Sequence, residues 1–153
     1  MTLVTRGLKE RIRSSVVTIG MFDGLHQGHR KILRTVAEDA RRLRAQSLVI
    51  TFARHPQTVM GRKEPLGMIT TNPQKLRLFE KIGIRRTLLV PFNKNFSRIS
   101  PEAFVEDILL KKLGMRELCV GYDFAFGRDR KGNIELLRAL ARRHGFRLKI
   151  FGP

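Results

Sequence analysis

Short apolar runs alternate with helical patterns along most of the chain. Runs rich in β-branched and aliphatic residues predict five strands, at residues 15–19, 47–52, 86–90, 118–121 and 146–151. Apolar positions three and four residues apart predict four intervening helices, at residues 29–44, 73–82, 101–113 and 133–141. This alternation is typical of an α/β protein with a Rossmann-like, doubly wound, parallel five-stranded sheet and right-handed crossovers.

Two stretches lack such a pattern. Residues 1–14 contain scattered basic side chains, and we expect an irregular lead-in to a single domain that spans residues 15–153. Residues 53–70 contain two prolines and two glycines without any period, which predicts a long loop at the carboxyl end of the second strand. Loops of that length are usually functional, and open α/β sheets bind ligands at this edge.

Composition narrows the class of protein. No apolar run reaches the length of a membrane span and the N-terminus lacks a signal-peptide segment, so we expect a cytoplasmic protein with no membrane partner. The single cysteine, Cys119, lies in an apolar run and is expected to be a buried core residue rather than a nucleophile. The net charge of +18 favours solvated basic helix faces, with a dedicated nucleic-acid surface as the alternative.

The junction between the first strand and the first helix carries the clearest chemistry. Residues 20–29 read Gly-Met-Phe-Asp-Gly-Leu-His-Gln-Gly-His. The glycines permit close backbone approach, and the free amides and dipole of a helix N-terminus favour a phosphate. His26 and His29 lie three residues apart and can flank one anion, where they would stabilise developing negative charge. Helix-capping histidines are the alternative, and a metal site is disfavoured because this spacing supplies only two ligands.

These ten residues resemble the G-x-F-D-G-x-H-x-G-H signature of the nucleotidylyltransferase superfamily, and the chain resembles the FMN adenylyltransferase module of bacterial FAD synthetases over roughly residues 15–151. The resemblance implies the HxGH nucleotidylyltransferase fold and adenylyl transfer from ATP to FMN, giving FAD and pyrophosphate, with Mg²⁺ bound to ATP. His26 and His29 would be catalytic, as electrostatic stabilisers. The expected ATP-binding residues are Gly20, Met21, Phe22, Asp23, Gly24, His26, Gly28 and His29.

Further segments carry the same resemblance on the acceptor side. Residues 52–56 resemble the family's F-x-P-H-P, with Arg54 in place of the first proline, which implies that His55 and Pro56 help to bind FMN. Residues 121–128 resemble G-x-D/N-F-x-F-G and add three FMN-binding residues. These are Asp123 as a polar anchor, Phe124, and Phe126 against the isoalloxazine. Alternatively the two phenylalanines close the core, Phe124 more readily than Phe126. A third segment, residues 91–100, is expected to be mostly structural.

Two elements of the family do not occur in these 153 residues. They are a Ser/Thr-Arg nucleotide motif after the fifth strand and a C-terminal riboflavin kinase domain, so we expect a partial module without the kinase. Another adenylyl- or cytidylyltransferase of the superfamily, a non-catalytic flavin- or nucleotide-binding module, and a basic nucleic-acid-binding protein on the same fold are the alternatives. The Phe124 and Phe126 pair favours the flavin.

Overall fold

Parallel strands form the frame of the protein. The structure is a computed structural model that describes residues 2–7, 11–22, 27–52, 73–90, 94–126 and 132–152. Within these ranges, one six-stranded sheet has the order β1-β4-β3-β2-β5-β6, and every neighbouring pair is parallel. The strands are β1 Leu3–Arg6, β2 Ser15–Ile19, β3 Gln46–Phe52, β4 Arg86–Val90, β5 Met115–Gly121 and β6 Arg147–Phe151. The predicted parallel α/β architecture is confirmed.

Helices connect the strands. They are α1 Gln27–Leu43, α2 Pro73–Ile82, the short α3 Lys94–Ser97, α4 Pro101–Ala103 with its continuation Phe104–Lys112, and α5 Ile134–His144. Among the described residues, none of these helices has the length and apolar character needed to cross a membrane.

The alternation of side chains along the strands divides the core into two layers. Val16, Val49 and Cys119 point to the face covered by α1 and α2. Their neighbours in sequence point to the face covered by α4, its continuation and α5. Because both faces are covered, the central strands read as continuous apolar runs, which is why their positions could be predicted. Cys119 is fully buried, as expected.

The prediction of five strands is wrong by one, because Leu3–Arg6 forms β1 in the stretch expected to be irregular. Its backbone pairs with β4, and Leu3 N and Gly7 N donate to Arg85 O and Leu89 O at 2.8 and 2.7 Å. Leu3 and Val4 are exposed, so no buried stripe marks the strand in the sequence. Its stabilisation comes from a partner about eighty residues away, which a local pattern does not contain.

The helix predicted after Ser100 takes an unexpected form. Residues Phe104–Lys112 form a π-helix, in which the Leu113 amide donates to Ile108 O, five residues earlier, at 3.1 Å. The predicted core residues are buried as expected: Phe104, Val105, Ile108, Leu109 and Leu113. The hydrogen bonds that place them are those of a π-helix rather than of an α-helix.

The remaining boundaries differ by a few residues. β5 begins at Met115, three residues before the predicted start, and α5 continues to His144, three residues past the predicted end. The loop predicted at residues 53–70 lies outside the described residues.

Candidate functional site

The candidate site lies where the strand order changes direction. β2 pairs with β3 on one side and with β5 on the other. The sheet continues with β4 and β1 beyond β3, and with β6 beyond β5. Ligands of open α/β sheets bind at the carboxyl ends of the strands that flank such a point. The predicted phosphate segment leaves β2, and the predicted flavin segment leaves β5. The topology therefore brings to one edge two segments that lie about one hundred residues apart in the sequence.

The turn that leaves β2 has a tightly defined conformation. Gly20 N donates to Ile50 O at 3.1 Å. A Cβ at Gly20 would lie 3.2 Å from Cε2 of Phe22, so the missing side chain makes room for that ring. Phe22 has a φ of +55°, which is uncommon for a bulky residue. Its ring is 5% exposed and meets the rings of Phe79 and His29 edge to face, with centroids 5.7 and 5.5 Å away.

The first turn of α1 follows this segment. Gly28 and His29 lie in that turn, where amides have no partner within the helix, and the turn contains no acidic residue. Among the described residues, and apart from its own helix backbone and chain neighbours, nothing lies within 4 Å of where a Cβ would stand at Gly28, so this face of the turn is open to them. His29 is partly buried against Phe22 at 73° between the ring planes. An open, positively polarised helix terminus beside a fixed histidine suits a phosphate group.

Only some of the predicted site residues lie within the described residues. The β2 to α1 junction brings together Gly20, Met21, Phe22, Gly28 and His29. Five others lie outside the described residues: Asp23, Gly24, His26, His55 and Pro56.

Sequence reasoning missed one residue of this junction. Lys75, on α2, is 8% exposed, and its Nζ donates to Met21 O at 2.6 Å. A buried lysine near a glycine-rich phosphate segment is a recognisable signal, but only after the fold has shown that α2 lies against that segment.

The segment that leaves β5 presents an aromatic stack. Phe124 N donates to Gly121 O at 3.1 Å in a tight turn, and the rings of Phe124 and Phe126 stack at 5.3 Å and 15°. Phe126 is 9% exposed, while Phe124 is only partly buried. The expectation that Phe124 would be the one to close the core is therefore reversed, because Phe126 packs inward and Phe124 lies outside it. Asp123 is exposed on the same turn.

A glycine explains how Phe126 fits. Phe126 and Gly132 exchange two backbone hydrogen bonds, of 3.2 and 2.9 Å. A Cβ at position 132 would lie 2.5 Å from the Phe126 ring, which leaves room only for glycine. Sequence reasoning did not single out Gly132, because the contact with the Phe126 ring becomes visible only in the structure.

The aromatic stack continues as a row along the same edge of the sheet. Phe126 contacts Phe104 at 6.0 Å, Phe104 contacts Phe96 at 5.8 Å, and Phe96 contacts Phe52 at the end of β3 at 5.6 Å. Phe96 belongs to the segment expected to be mostly structural. Phe104 and Phe126 are buried, whereas Phe52, Phe96 and Phe124 are partly exposed and offer apolar surface at this edge.

The two parts of the candidate site lie on opposite faces of the sheet. Phe22 belongs to the layer of α1 and α2, and Phe126 belongs to the layer of α4 and α5. A ligand across the edge between β2 and β5 would meet a phosphate-binding helix terminus on one side and an aromatic surface on the other. Such an arrangement suits a molecule that combines phosphates with a large planar ring.

A separate polar cluster is buried near the amino end of the sheet. It comprises Asp39, Glu117 and Cys119, whose side-chain oxygen and sulfur atoms lie within 4.8 Å of one another. Burial and the hydrogen bond to Asp39 raise the pKa of Glu117 to about 7, while hydrogen bonds from Glu117 and Lys149 hold the pKa of Asp39 at about 2. Burial raises the pKa of the Cys119 thiol above its usual range. Lys149 Nζ lies 2.6 Å from Asp39 Oδ2, so a cation already neutralises this carboxylate. The cluster is best described as a pair of interacting carboxyl groups in which Asp39 is ionised and Glu117 keeps its proton below about pH 7.

Comparisons with known proteins agree with this geometry. The family model described as FAD synthetase matches residues 8–153. The chain is 33% identical over 146 residues to the bifunctional riboflavin kinase/FMN adenylyltransferase of Buchnera aphidicola, covering 95% of this chain and 47% of that protein. It is 34% identical over 131 residues to the Escherichia coli protein of the same name, covering 86% and 42%. The chain thus spans about half the length of these relatives.

A solved structure shows the same fold. A protein from Streptococcus pneumoniae described as a macrolide-efflux protein superposes with a TM-score of 0.79 at 23% identity, covering 99% of this chain and 50% of that one.

Proposed function

The chain belongs to the FAD synthetase family, and from that premise we propose that it transfers the adenylyl group of ATP to the phosphate of FMN, giving FAD and pyrophosphate. The observation that carries the proposal is the meeting of an open helix terminus and an aromatic surface at the point where the strand order reverses. We also propose a cytoplasmic location, as expected from the sequence.

The proposed phosphate site is the junction of β2 and α1. Gly28 provides backbone that a nucleotide can approach closely, while Gly20, Met21 and Phe22 form the turn beside it. His29 donates a hydrogen bond to a phosphate oxygen. We assign the corresponding roles to Asp23, Gly24 and His26 from the sequence motif alone. The histidines act as electrostatic stabilisers rather than as acid and base, because the FMN phosphate is already an anion at neutral pH.

The proposed acceptor site is the segment after β5. The partly buried Phe124 is the ring available to the isoalloxazine, and Phe126 supports it from behind at 5.3 Å. Asp123, exposed on the same turn, is the proposed polar anchor. His55 and Pro56 are proposed to complete the FMN site from the segment that follows β3.

Adenylyl transfer of this kind needs no covalent intermediate with the protein. The FMN phosphate attacks the α-phosphorus of ATP, one P–O bond forms, and the bond to the leaving pyrophosphate breaks. Alignment of the three groups and positive charge around them supply the catalysis. Mg²⁺ would arrive with ATP and would supply further positive charge at the phosphates.

The direct test incubates the 153-residue chain with Mg²⁺-ATP and FMN and measures FAD and pyrophosphate together. His29→Ala should lower kcat/KM by roughly 100- to 1000-fold, because it removes a donor that acts on developing charge. His144→Ala is the matched control, since this histidine pairs with Glu106 at 2.9 Å at the far end of α5. It should retain the activity of the original chain.

Other outcomes identify the alternatives. FMN binding without FAD formation would indicate a flavin-binding module. Pyrophosphate release with phosphopantetheine or glycerol phosphate, but not with FMN, would indicate another nucleotidylyltransferase. DNA binding with a steep salt dependence and no response to FMN would contradict the proposed function.

A further inference from the structure

Lys75 is a buried cation in direct contact with the proposed nucleotide segment. Its side chain is 8% exposed, and Nζ donates to the Met21 carbonyl at 2.6 Å. Burying an ammonium group is costly unless it makes such a charge-assisted hydrogen bond. The other buried residue of α2 is Phe79, one helical turn later. Residues four apart lie on one face of a helix, so Lys75 and Phe79 approach the same feature.

That feature is the pair Met21 and Phe22. Lys75 holds the carbonyl of Met21, and the Phe79 ring packs edge to face on the ring of Phe22 at 5.7 Å and 83°. One turn of α2 therefore contacts the backbone and the side chain of two consecutive residues.

Phe22 needs such support. Its φ of +55° is a left-handed conformation that is unfavourable for a bulky residue. A conformation of this kind persists only where surrounding contacts define it more than once. The remaining ring contact of Phe22 among the described residues is with His29, at 5.5 Å and 73°. The contacts therefore run from α2 through Phe22 to the histidine of the phosphate site.

We propose that Lys75 and Phe79 are positioning residues that fix the Met21–Phe22 turn and, through the Phe22 ring, the orientation of His29 toward the transferring phosphates. The catalytic part of this inference rests on the proposed adenylyl transfer, while the contacts themselves do not. Lys75 acts through Met21 and is not a catalytic residue. Misplacing a group by about 1 Å can cost roughly 100-fold in rate, so a small relaxation of this turn is sufficient to matter.

The kinetic test compares four variants of the full chain. Lys75→Met removes the ammonium and keeps the aliphatic length, Phe79→Leu loosens the Phe22 contact, and the third variant combines both. Lys81→Met is the matched control, because Lys81 is an exposed lysine on the same helix. We expect each single variant to lower kcat by roughly 10- to 100-fold with KM for FMN changed less than threefold, and Lys81→Met to match the original chain.

The double variant separates positioning from independent structural effects. If two residues fix the same turn, the rate losses from replacing them should not multiply. The kcat of the double variant should therefore be no more than threefold below that of the slower single variant. Fully multiplicative losses would overturn the proposal. So would losses that follow only the folded fraction at each temperature.

A second readout does not need turnover. The chain has 4 histidines, so the His29 ring protons can be assigned in a proton NMR spectrum by their loss in His29→Ala. Because the Phe22 ring lies edge to face with His29, its ring current displaces these signals. Lys75→Met and Phe79→Leu should both move the His29 signals and weaken ATP binding several-fold, while Lys81→Met leaves them in place. Unmoved His29 signals would overturn the proposal, whether or not the original chain forms FAD. An absence of FAD with moved signals would contradict only the proposed function.

Discussion

At the scale of single residues, the glycines of the site differ in what the protein itself requires of them. Gly28 has open space where a Cβ would stand, so no contact within the described part of the chain demands a glycine there. We predict that Gly28→Ala leaves the free energy of unfolding unchanged or raises it by up to about 1 kcal/mol, because alanine favours the helix. ATP affinity should fall roughly tenfold, about 1.4 kcal/mol, since the methyl group occupies the proposed phosphate position. Urea unfolding and calorimetric titration with ATP measure the two effects.

Gly132→Ala is the control, and we expect it to lower stability without lowering ATP affinity. Its Cβ would lie 2.5 Å from the Phe126 ring, so stability should fall by roughly 1–3 kcal/mol while ATP affinity is retained. A Gly28→Ala protein that binds ATP like the original chain would show that no phosphate approaches this turn.

The carboxyl pair of Glu117 and Asp39 gives a prediction about pH. The folded pKa of Glu117 is about 7, above its ordinary value of 4.5, so the folded protein keeps a proton that the unfolded chain releases. The stabilisation by Glu117 is therefore complete below about pH 4.5 and is lost as pH rises to about 7. The pKa of Asp39 is about 2, below the ordinary 3.8, so its contribution is lost only as pH falls through that range.

Glu117→Gln isolates this effect. The amide can still donate a hydrogen bond to Asp39, but it does not titrate. The free energy of unfolding of the original chain should fall, relative to Glu117→Gln, by on the order of 1–3 kcal/mol between pH 5 and pH 7.5. Urea unfolding at the two pH values measures the difference. Parallel curves for the two proteins would show that Glu117 is already ionised at pH 5.

The sequence led to predicted residue roles where the signal is chemical and local, and these roles stay predictions. The glycines and histidines of residues 20–29 predict a phosphate-binding site, and Phe124 and Phe126 predict a site for an aromatic ring. The depth of each ring was not predictable, because burial of Phe126 depends on Gly132 and Phe104. Lys75 was missed for the same reason, since its partner Met21 lies more than fifty residues away.

At the scale of elements, the bounds of a helix or strand could be predicted where the segment buries apolar side chains of its own. β2 and β4 were predicted to the residue, since both are buried on both faces and read as apolar runs. β1 is an edge strand held by backbone hydrogen bonds to β4, and such bonds leave no trace in side-chain pattern. The π-helix kept its predicted core residues but not its predicted period, because burial is decided by the sheet beneath it rather than by helix propensity.

At the scale of the whole molecule, the site is a consequence of strand order. Alternating strands and helices predicted a parallel sheet, and therefore a ligand edge at the carboxyl ends. Nothing local indicated that β5 would lie directly beside β2, with Thr18 opposite Cys119. That pairing places the phosphate segment and the aromatic segment on neighbouring strands, with one layer of the core behind each. The division of the proposed site between two faces of the sheet is thus a property of the fold and of no single motif.

The net charge of +18 also acts at this scale. A field of that sign raises the local concentration of polyanions such as ATP and FMN, and salt screens it over a Debye length of about 10 Å at 0.1 M. We predict that kcat/KM for ATP falls several-fold between 50 and 300 mM KCl in the FAD assay, while kcat changes less than about twofold, because screening weakens encounter more than it alters bound geometry. A short DNA duplex should compete weakly, with an inhibition that disappears at the higher salt. The opposite result would be a kcat/KM that does not change with salt, together with tight duplex binding that leaves FAD formation unaffected. The charge would then serve a separate nucleic-acid surface. Phosphate contacts on such a surface make duplex binding steeply salt-dependent without involving the nucleotide site.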